Sequence, residues 1–336
     1  MNNAKRTIVP IFASTALIIL ILDTKTASAG AYKGIQLCIN SFVPTFLPFI
    51  ILTKLICTHS VNKRALFLPA LEKLTGIPSG AGRIILLGFI GGYPLGAQCI
   101  EDAHNRGELK LQEAKRMLGF CSNAGPAFIF GVLGPQFGSF SLPLWLMIIH
   151  ISSALLVGII LPQKAIGTCN AEQKQATSIT EIVESSVRSV SIICCWIVLF
   201  RIILEFLNNW CLYRLPPILK VLLFGILELA NGMFALNEIS HAGTKFVLAA
   251  FMLGFGGICV GIQTLSCAQR TGPGMYFPGK ILQCLFSVIL AYIGQWLLFS
   301  GDERLQISYI QTIFALTVIA AICIFLRRRK KVVAFT

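Results

Sequence analysis

Charge is what this chain has least of. Asp, Glu, Lys and Arg make up 12% of its 336 residues, where a soluble domain carries about 25%. Half the usual charge leaves too little polar surface to clothe a water-soluble globule. A soluble enzyme, a disordered regulator and a small disulfide scaffold are therefore excluded. Motifs that carry chemistry are missing as well. The 12 cysteines include no CxxC pair, and the four histidines (His59, His104, His150, His241) are scattered. A metal site needs such ligands clustered at fixed spacing, so no metal, cofactor or disulfide framework is expected. The absence of HExxH, of GxSxG and of an aspartate pair within the apolar runs argues against an intramembrane enzyme.

Acidic residues are the scarcer sign, 14 against 28 Lys and Arg, for a net charge of +14. In a soluble protein that excess points to nucleic acid. Here no basic stretch is interleaved with aromatics, and cytoplasmic loops of membrane proteins collect Lys and Arg. No nucleic-acid partner is expected, and the partner that composition does require is the lipid bilayer.

Apolar residues are what the chain has in abundance, 55% of the total. They fall in runs near 8–22, 35–57, 84–100, 117–133, 142–161, 187–207, 218–236, 246–267, 278–299 and 307–326. A crossing takes about 20 residues, and lipid offers no partner for unpaired backbone groups, so each run is expected to be helical. The fold class predicted is an all-α polytopic membrane protein of eight to ten transmembrane or re-entrant helices. Lys5 and Arg6 precede the first run and Arg327-Arg328-Arg329-Lys330-Lys331 follow the last, which places both termini in the cytoplasm. The run Ile8–Leu22 followed by Ala27-Ser28-Ala29 has the form of a signal peptide with a cleavage site; an uncleaved signal-anchor helix over 1–30 is the preferred reading.

The most informative feature is a repeat. Gly91-Gly92-Tyr93-Pro94-Leu95-Gly96-Ala97-Gln98 and Gly256-Gly257-Ile258-Cys259-Val260-Gly261-Ile262-Gln263 both read GG-x-x-x-G-x-Q. Upstream, Leu71-Glu72 to Gly76 and Leu227-Glu228 to Gly232 both read LE-x-x-x-G, and Ile50-Ile51-Leu52 is echoed by Ile202-Ile203-Leu204. The same order in both halves indicates an internal two-fold repeat, 31–162 and 187–300, joined by a polar connector over 163–186 and followed by a final helix and basic tail over 301–336.

Tyr93-Pro94 after two glycines costs the helix a hydrogen bond where the backbone is most permissive. Ser122-Asn123-Ala124-Gly125-Pro126 interrupts the run from Met117 to Leu133 in the same way. Unwound backbone at membrane depth is tolerated where it is buried or lines a cavity, and paired interruptions in corresponding halves point to a transporter's binding site. Between the two breaks, Glu101 to Arg116 is strongly charged, with Leu111, Ala114 and Leu118 on one stripe; it reads as an interfacial helix. Ionisable groups inside apolar runs are functional by default. Arg201 and Glu205 share a helix face and neutralise each other, whereas Glu228 has no evident local partner and is the candidate for proton or cation coupling. Lys54 and Lys280 read as snorkelling near helix ends, and His150 as a hydrogen-bonded packing residue. Two layouts remain open: ten crossings with the GG-x-x-x-G-x-Q elements spanning in opposite directions, or eight with those elements re-entrant.

Phe42-Val43-Pro44, Phe46-Leu47-Pro48-Phe49, Gly91 to Ala97, the Glu113-Ala114-Lys115-Arg116 helix and Ser122 to Pro126 resemble the nucleoside-recognition (Gate) domain family. Within it they look like the YlbJ-type sporulation integral membrane proteins of endospore-forming bacteria. The similarity covers about residues 30 to 295. The resemblance implies broken helices and hairpins that bind substrate at mid-membrane, and a role in moving dipicolinate across the outer forespore membrane. It implies substrate-binding positions at Gly92, Pro94, Gly96, Asn123, Gly125 and Pro126, with Gly257, Gly261 and Gln263 as counterparts; Tyr93, Gln98 and Ser122 are candidate substrate-binding residues beside them, Gln98 standing where many relatives are expected to carry a basic residue. The expected function is transport of a small polar or anionic metabolite by alternating access, with freed amides, Asn123, Gln98 and Gln263 as ligands. The rivals are a non-transporting membrane factor for sporulation or envelope assembly, and a nucleoside transporter. A homo-oligomer is left open.

Overall fold

A computed structural model of the chain describes residues 3–59, 68–162 and 178–299. The last predicted span, the basic tail and most of the polar connector lie outside these residues. The structure is 83% helical, without a strand among the described residues. Five stretches are long and apolar enough to cross a membrane: Thr24–Ile56, Ser141–Ile160, Ile179–Trp210, Ala242–Cys267 and Tyr276–Leu298. The chain is an all-α polytopic membrane protein.

Its first half contains α1 (Asn3–Leu22), α2 (Thr24–Leu37), a π-helical turn (Cys38–Phe42), α3 (Val43–His59), α4 (Leu68–Thr75), α5 (Gly82–Gly91), α6 (Leu95–Asn105), α7 (Leu111–Cys121), a π-helical segment (Ala127–Leu133) and α8 (Ser141–Ile160). The second contains α9 (Ile179–Trp210), α10 (Pro217–Leu227), α11 (Leu229–Ala235), α12 (Ala242–Phe255), α13 (Ile258–Cys267) and α14 (Tyr276–Leu298). Local chemistry sets several of these limits. Ser178 and Glu181 exchange side-chain and backbone hydrogen bonds at the start of α9, a capping box. Pro216-Pro217 starts α10, where the missing amide costs nothing. Gly256 ends α12 in the left-handed conformation.

The two halves share one plan: a long helix, a hairpin, a broken helix and a second long helix. The hairpins follow from glycine contacts. Gly88 and Gly96 are eight residues apart, about 12 Å along a continuous helix, yet a Cβ on Gly96 would lie 3.1 Å from Gly88 Cα. Helices α5 and α6 therefore double back at Gly91–Pro94. In the same way a Cβ on Gly232 would overlap the backbone of Gly225, so α10 and α11 double back at Glu228. The broken helices are α7 with the Ala127–Leu133 segment, and α12 with α13, which run on as the single span Ala242–Cys267.

This corrects how the sequence motifs correspond. The first GG-x-x-x-G-x-Q is a hairpin tip and the second a break in a spanning helix, so the two are not equivalent positions. The second tip is Glu228, for which no glycine pair gave warning. The LE-x-x-x-G glutamates differ too. Glu72 accepts the amides of Gly80 and Gly82 at the start of α5, whereas Glu228 caps α11.

One further expectation changes. The segment Glu101–Arg116 is not one interfacial helix, because a turn over 106–110 divides it. Glu108 closes that turn by accepting from Arg83 at 2.7 Å and Arg106 at 2.6 Å. Ala114 and Leu118 are fully buried, and Arg116 turns inward to donate to the carbonyls of Thr75, Gly76 and Gly158. Glu101 reaches into the other half, accepting from the Arg270 amide (2.7 Å) and the Thr271 amide and hydroxyl (3.1 and 2.6 Å). The small residues near Ala27-Ser28-Ala29 lie within α2 and serve close packing: Cβ atoms on Gly30 and Gly34 would meet Ile202 Cα and Val198 Cα of α9 at 2.8 and 2.9 Å.

Candidate functional site

In each half the hairpin tip rests on the broken helix. Gly92 has φ +71° and ψ −168°, a region essentially restricted to glycine. A Cβ there would come 2.9 Å from the amide nitrogen of Gly125. In the second half a Cβ on Gly257, φ +82°, would come 3.1 Å from Leu229 N beside Glu228. Glycine is needed at both contacts because two backbones touch. The halves then meet each other. Tyr93 of the first tip reaches Gly256 of the second break, and Ser122 Oγ lies 3.5 Å from Thr264 Oγ1 of α13.

Where tips and breaks converge, a cavity of about 40 Å³ remains. Tyr93, Ala124 and Gly125 line it from the first half; Glu228, Ala230 and Gln263 line it from the second. Phe42, Phe46 and Phe128 form an apolar wall, with the rings of Phe42 and Phe46 stacked at 4.7 Å. This volume suits one or two waters, not a metabolite. Beside it lies a larger space of about 270 Å³. Its walls include Gln98, Gln263, Ser185 and Ser266, with Lys54 and Arg188 supplying positive charge. Gln263 borders both spaces.

The predicted residues thus separate into groups. Tyr93, Gly125 and Gln263 line the cavity; Gly92 and Gly257 seat the tips. Pro94 and Gln98 border the outer space, and Gln98 Nε2 lies 3.6 Å from Cys267 Sγ. Gly96 packs the hairpin arms, and Pro126 opens the π-helical segment. A Cβ on Gly261 would lie 3.5 Å from the Tyr276 ring, at ordinary contact distance.

Asn123 is fully buried and does not border the cavity. Its Nδ2 donates to Phe120 O at 2.7 Å, and its Oδ1 accepts from Gln283 at 2.9 Å and Lys280 at 3.3 Å. Both ends are committed within the protein. The freed amides are committed also. His150 Nε2 accepts from Ala124 N at 3.1 Å, so His150 is a hydrogen-bonded residue as expected, placed at the break. Glu228 accepts from Ala230 N (3.0 Å), Asn231 N (2.6 Å) and Asn231 Nδ2 (2.8 Å). It therefore has local partners that its sequence context did not suggest, because they arise from the tip conformation.

The expected Arg201–Glu205 pair forms at 3.2 Å and is extended by Lys33, 2.5 Å from the other carboxylate oxygen. Arg201 also reaches Asn231 Oδ1 at 3.4 Å, which ties the pair to the Glu228 cap. Lys280 departs most from expectation. It does not snorkel but is fully buried, because its end of α14 is itself packed: a Cβ on Gly279 would overlap the backbone of Gly119. The one sequence signal was Lys280 and Gln283 three apart on a helix. No known protein family, curated protein or solved structure matches this chain, so its site is interpreted from its own geometry.

Proposed function

We propose that the chain is a membrane transporter for a small anionic metabolite, working by alternating access around its two hairpin tips and two broken helices. The observation that carries the proposal is the convergence of all four interruptions on one small cavity, mostly apolar but bordered by a glutamine, a tyrosine and a carboxylate. Interrupted helices are costly in lipid, and a membrane protein retains them where they are buried against protein or line a path. The outer space, with Lys54 and Arg188, gives a small anion a favourable approach. Gln263 is the residue that passes it inward, and Glu228 is the coupling site. Dipicolinate is the first substrate to test and sporulation the first setting, because both follow from the resemblance to YlbJ-type Gate proteins.

The purified full chain is reconstituted into liposomes, and uptake of radiolabelled dipicolinate and of uridine is followed. Dipicolinate uptake above that of empty liposomes, reduced at least tenfold by Gln263→Ala at unchanged abundance, is the expected result. Uptake of uridine alone would shift the reading to a nucleoside transporter. The tightness of the cavity favours a second reading, a membrane factor that moves no solute. It predicts no uptake of either probe and no effect of Gln263→Ala.

A further inference from the structure

Lys280 lies one turn into α14, inside the apolar segment, and is 1% exposed. A charge at that depth is costly unless it is held. Its ammonium donates to Gln283 Oε1 at 2.7 Å and Asn123 Oδ1 at 3.3 Å, both neutral amides. Two aromatic faces complete the shell, with the centroids of Tyr93 and Tyr276 at 5.0 and 6.0 Å. The other titratable groups around it are Cys121 from α7 and His150 from α8. Among the described residues no carboxylate forms an ion pair with it. The ammonium is hydrogen-bonded, yet its charge has no counter-charge.

Tyr93 stands between that charge and the cavity. Its ring carries the ammonium and the residue lines the cavity. Its hydroxyl is buried without a hydrogen-bond partner, so packing and the cation–π contact alone hold it. The cavity is too small for a metabolite while the ring is in place. Displacing one side chain would enlarge the space and uncover a positive charge together.

We propose that Lys280 is the counter-charge for the anionic substrate and that Tyr93 is the shutter that separates them. When the ring turns aside, the ammonium exchanges an aromatic face for a carboxylate or another small anion. This rests on the transport reading and adds the residue that sets the charge of the substrate.

The test compares the full chain with Lys280→Gln, which keeps hydrogen-bonding capacity, and with Lys280→Arg, which keeps charge. In liposomes the probes are dipicolinate and its uncharged diamide. Wild type and Lys280→Arg should carry the diacid, while Lys280→Gln loses at least tenfold of that flux and shifts in preference toward the diamide. Equal diacid flux and unchanged preference in Lys280→Gln would overturn the proposal. If wild type carries neither probe, transport of this class fails, and Lys280 is judged by binding instead. Unfolding midpoints of the purified proteins are then titrated with acetate, benzoate and succinate. A carboxylate that stabilises wild type and Lys280→Arg but not Lys280→Gln supports the counter-charge. Stabilisation of wild type by none of them, or equal stabilisation of Lys280→Gln, refutes it. Should Lys280→Gln not fold, Tyr93→Leu decides: with the shutter gone, half-saturation by the same carboxylate should fall severalfold, and an unchanged value sinks the idea.

Discussion

Replacing Gly92 by alanine tests the contact on which the site depends, because two separable costs meet at that residue. The first is conformational: φ +71° with ψ −168° costs a residue with a Cβ about 1–3 kcal/mol. The second is crowding, since the new Cβ would sit 2.9 Å from Gly125 N and 3.2 Å from Gly125 Cα. Forcing packed backbone apart costs about 1–3 kcal/mol more, for a total of about 2–6 kcal/mol. Gly138 is the control. It also has positive φ, +63°, but nothing lies within 4 Å of a Cβ there; the left-handed conformation alone costs about 1–2 kcal/mol. Gly125→Ala isolates the crowding, with its Cβ 2.9 Å from Ile90 O. At about 2 °C per kcal/mol for a chain of this size, Gly92→Ala should lower the unfolding midpoint in detergent by about 4–12 °C. Gly138→Ala should lower it by about 2–4 °C. If Gly92→Ala and Gly125→Ala both unfold with the Gly138→Ala protein, tip and break do not touch and the convergence of the site is wrong.

Other expectations are independent of that contact. Glu101 lies outside the candidate spans; burial pushes its carboxyl up, but the Thr271 hydroxyl and the Arg270 and Thr271 amides outweigh this and hold it below the usual carboxylate range. A carboxylate depressed on folding stabilises above its unfolded pKa of about 4.3 and loses that contribution as pH falls through the lower folded value. Hydrogen exchange over 268–275 should therefore rise in acid below about pH 4 in wild type, and Glu101→Gln should exchange fast at neutral pH and lose the acid dependence. Glu205→Gln removes the charge that Arg201 and Lys33 share and should cost about 1–3 kcal/mol; Lys33→Ala, at a half-exposed partner, should cost under about 1 kcal/mol. Lys110, exposed at the open end of the first hairpin, separates the two layouts as Lys110→Cys: impermeant thiol reagents should reach it from the cytoplasmic side with eight crossings and from outside with ten.

Much of the architecture could be read from the chain because lipid restricts the choices: apolar runs must be helices, and glycine–proline clusters must interrupt them. Gly91–Pro94, Ser122–Pro126 and Gly256-Gly257 were visible on those grounds. Direction was not. At a glycine pair the backbone can reverse, as it does after Gly91, or run on, as it does after Gly256, and what decides is which backbone lies opposite. Residues 92 and 125, and 228 and 257, are too distant in sequence for periodicity to connect. The same limit hid Lys280, whose apolar context is common to snorkelling and buried lysines alike; the difference is whether the helix end is covered. It also made Glu228 look solitary, since two of its donors are amides that only the tip conformation turns toward it.

The bond from Glu101 to Arg270 and Thr271 has a consequence for how the protein is made. Arms of 10 and 11 residues reach about 15–17 Å, roughly half the hydrocarbon thickness, so the insertion machinery cannot release hairpin 1 into lipid as an ordinary span. One of its fastenings comes from residues synthesised some 170 positions later. During translation the tip can settle on Gly125 of its own half, but the Glu101 end stays unfastened until Arg270 and Thr271, just beyond α13, emerge, so completion of the first half depends on the second.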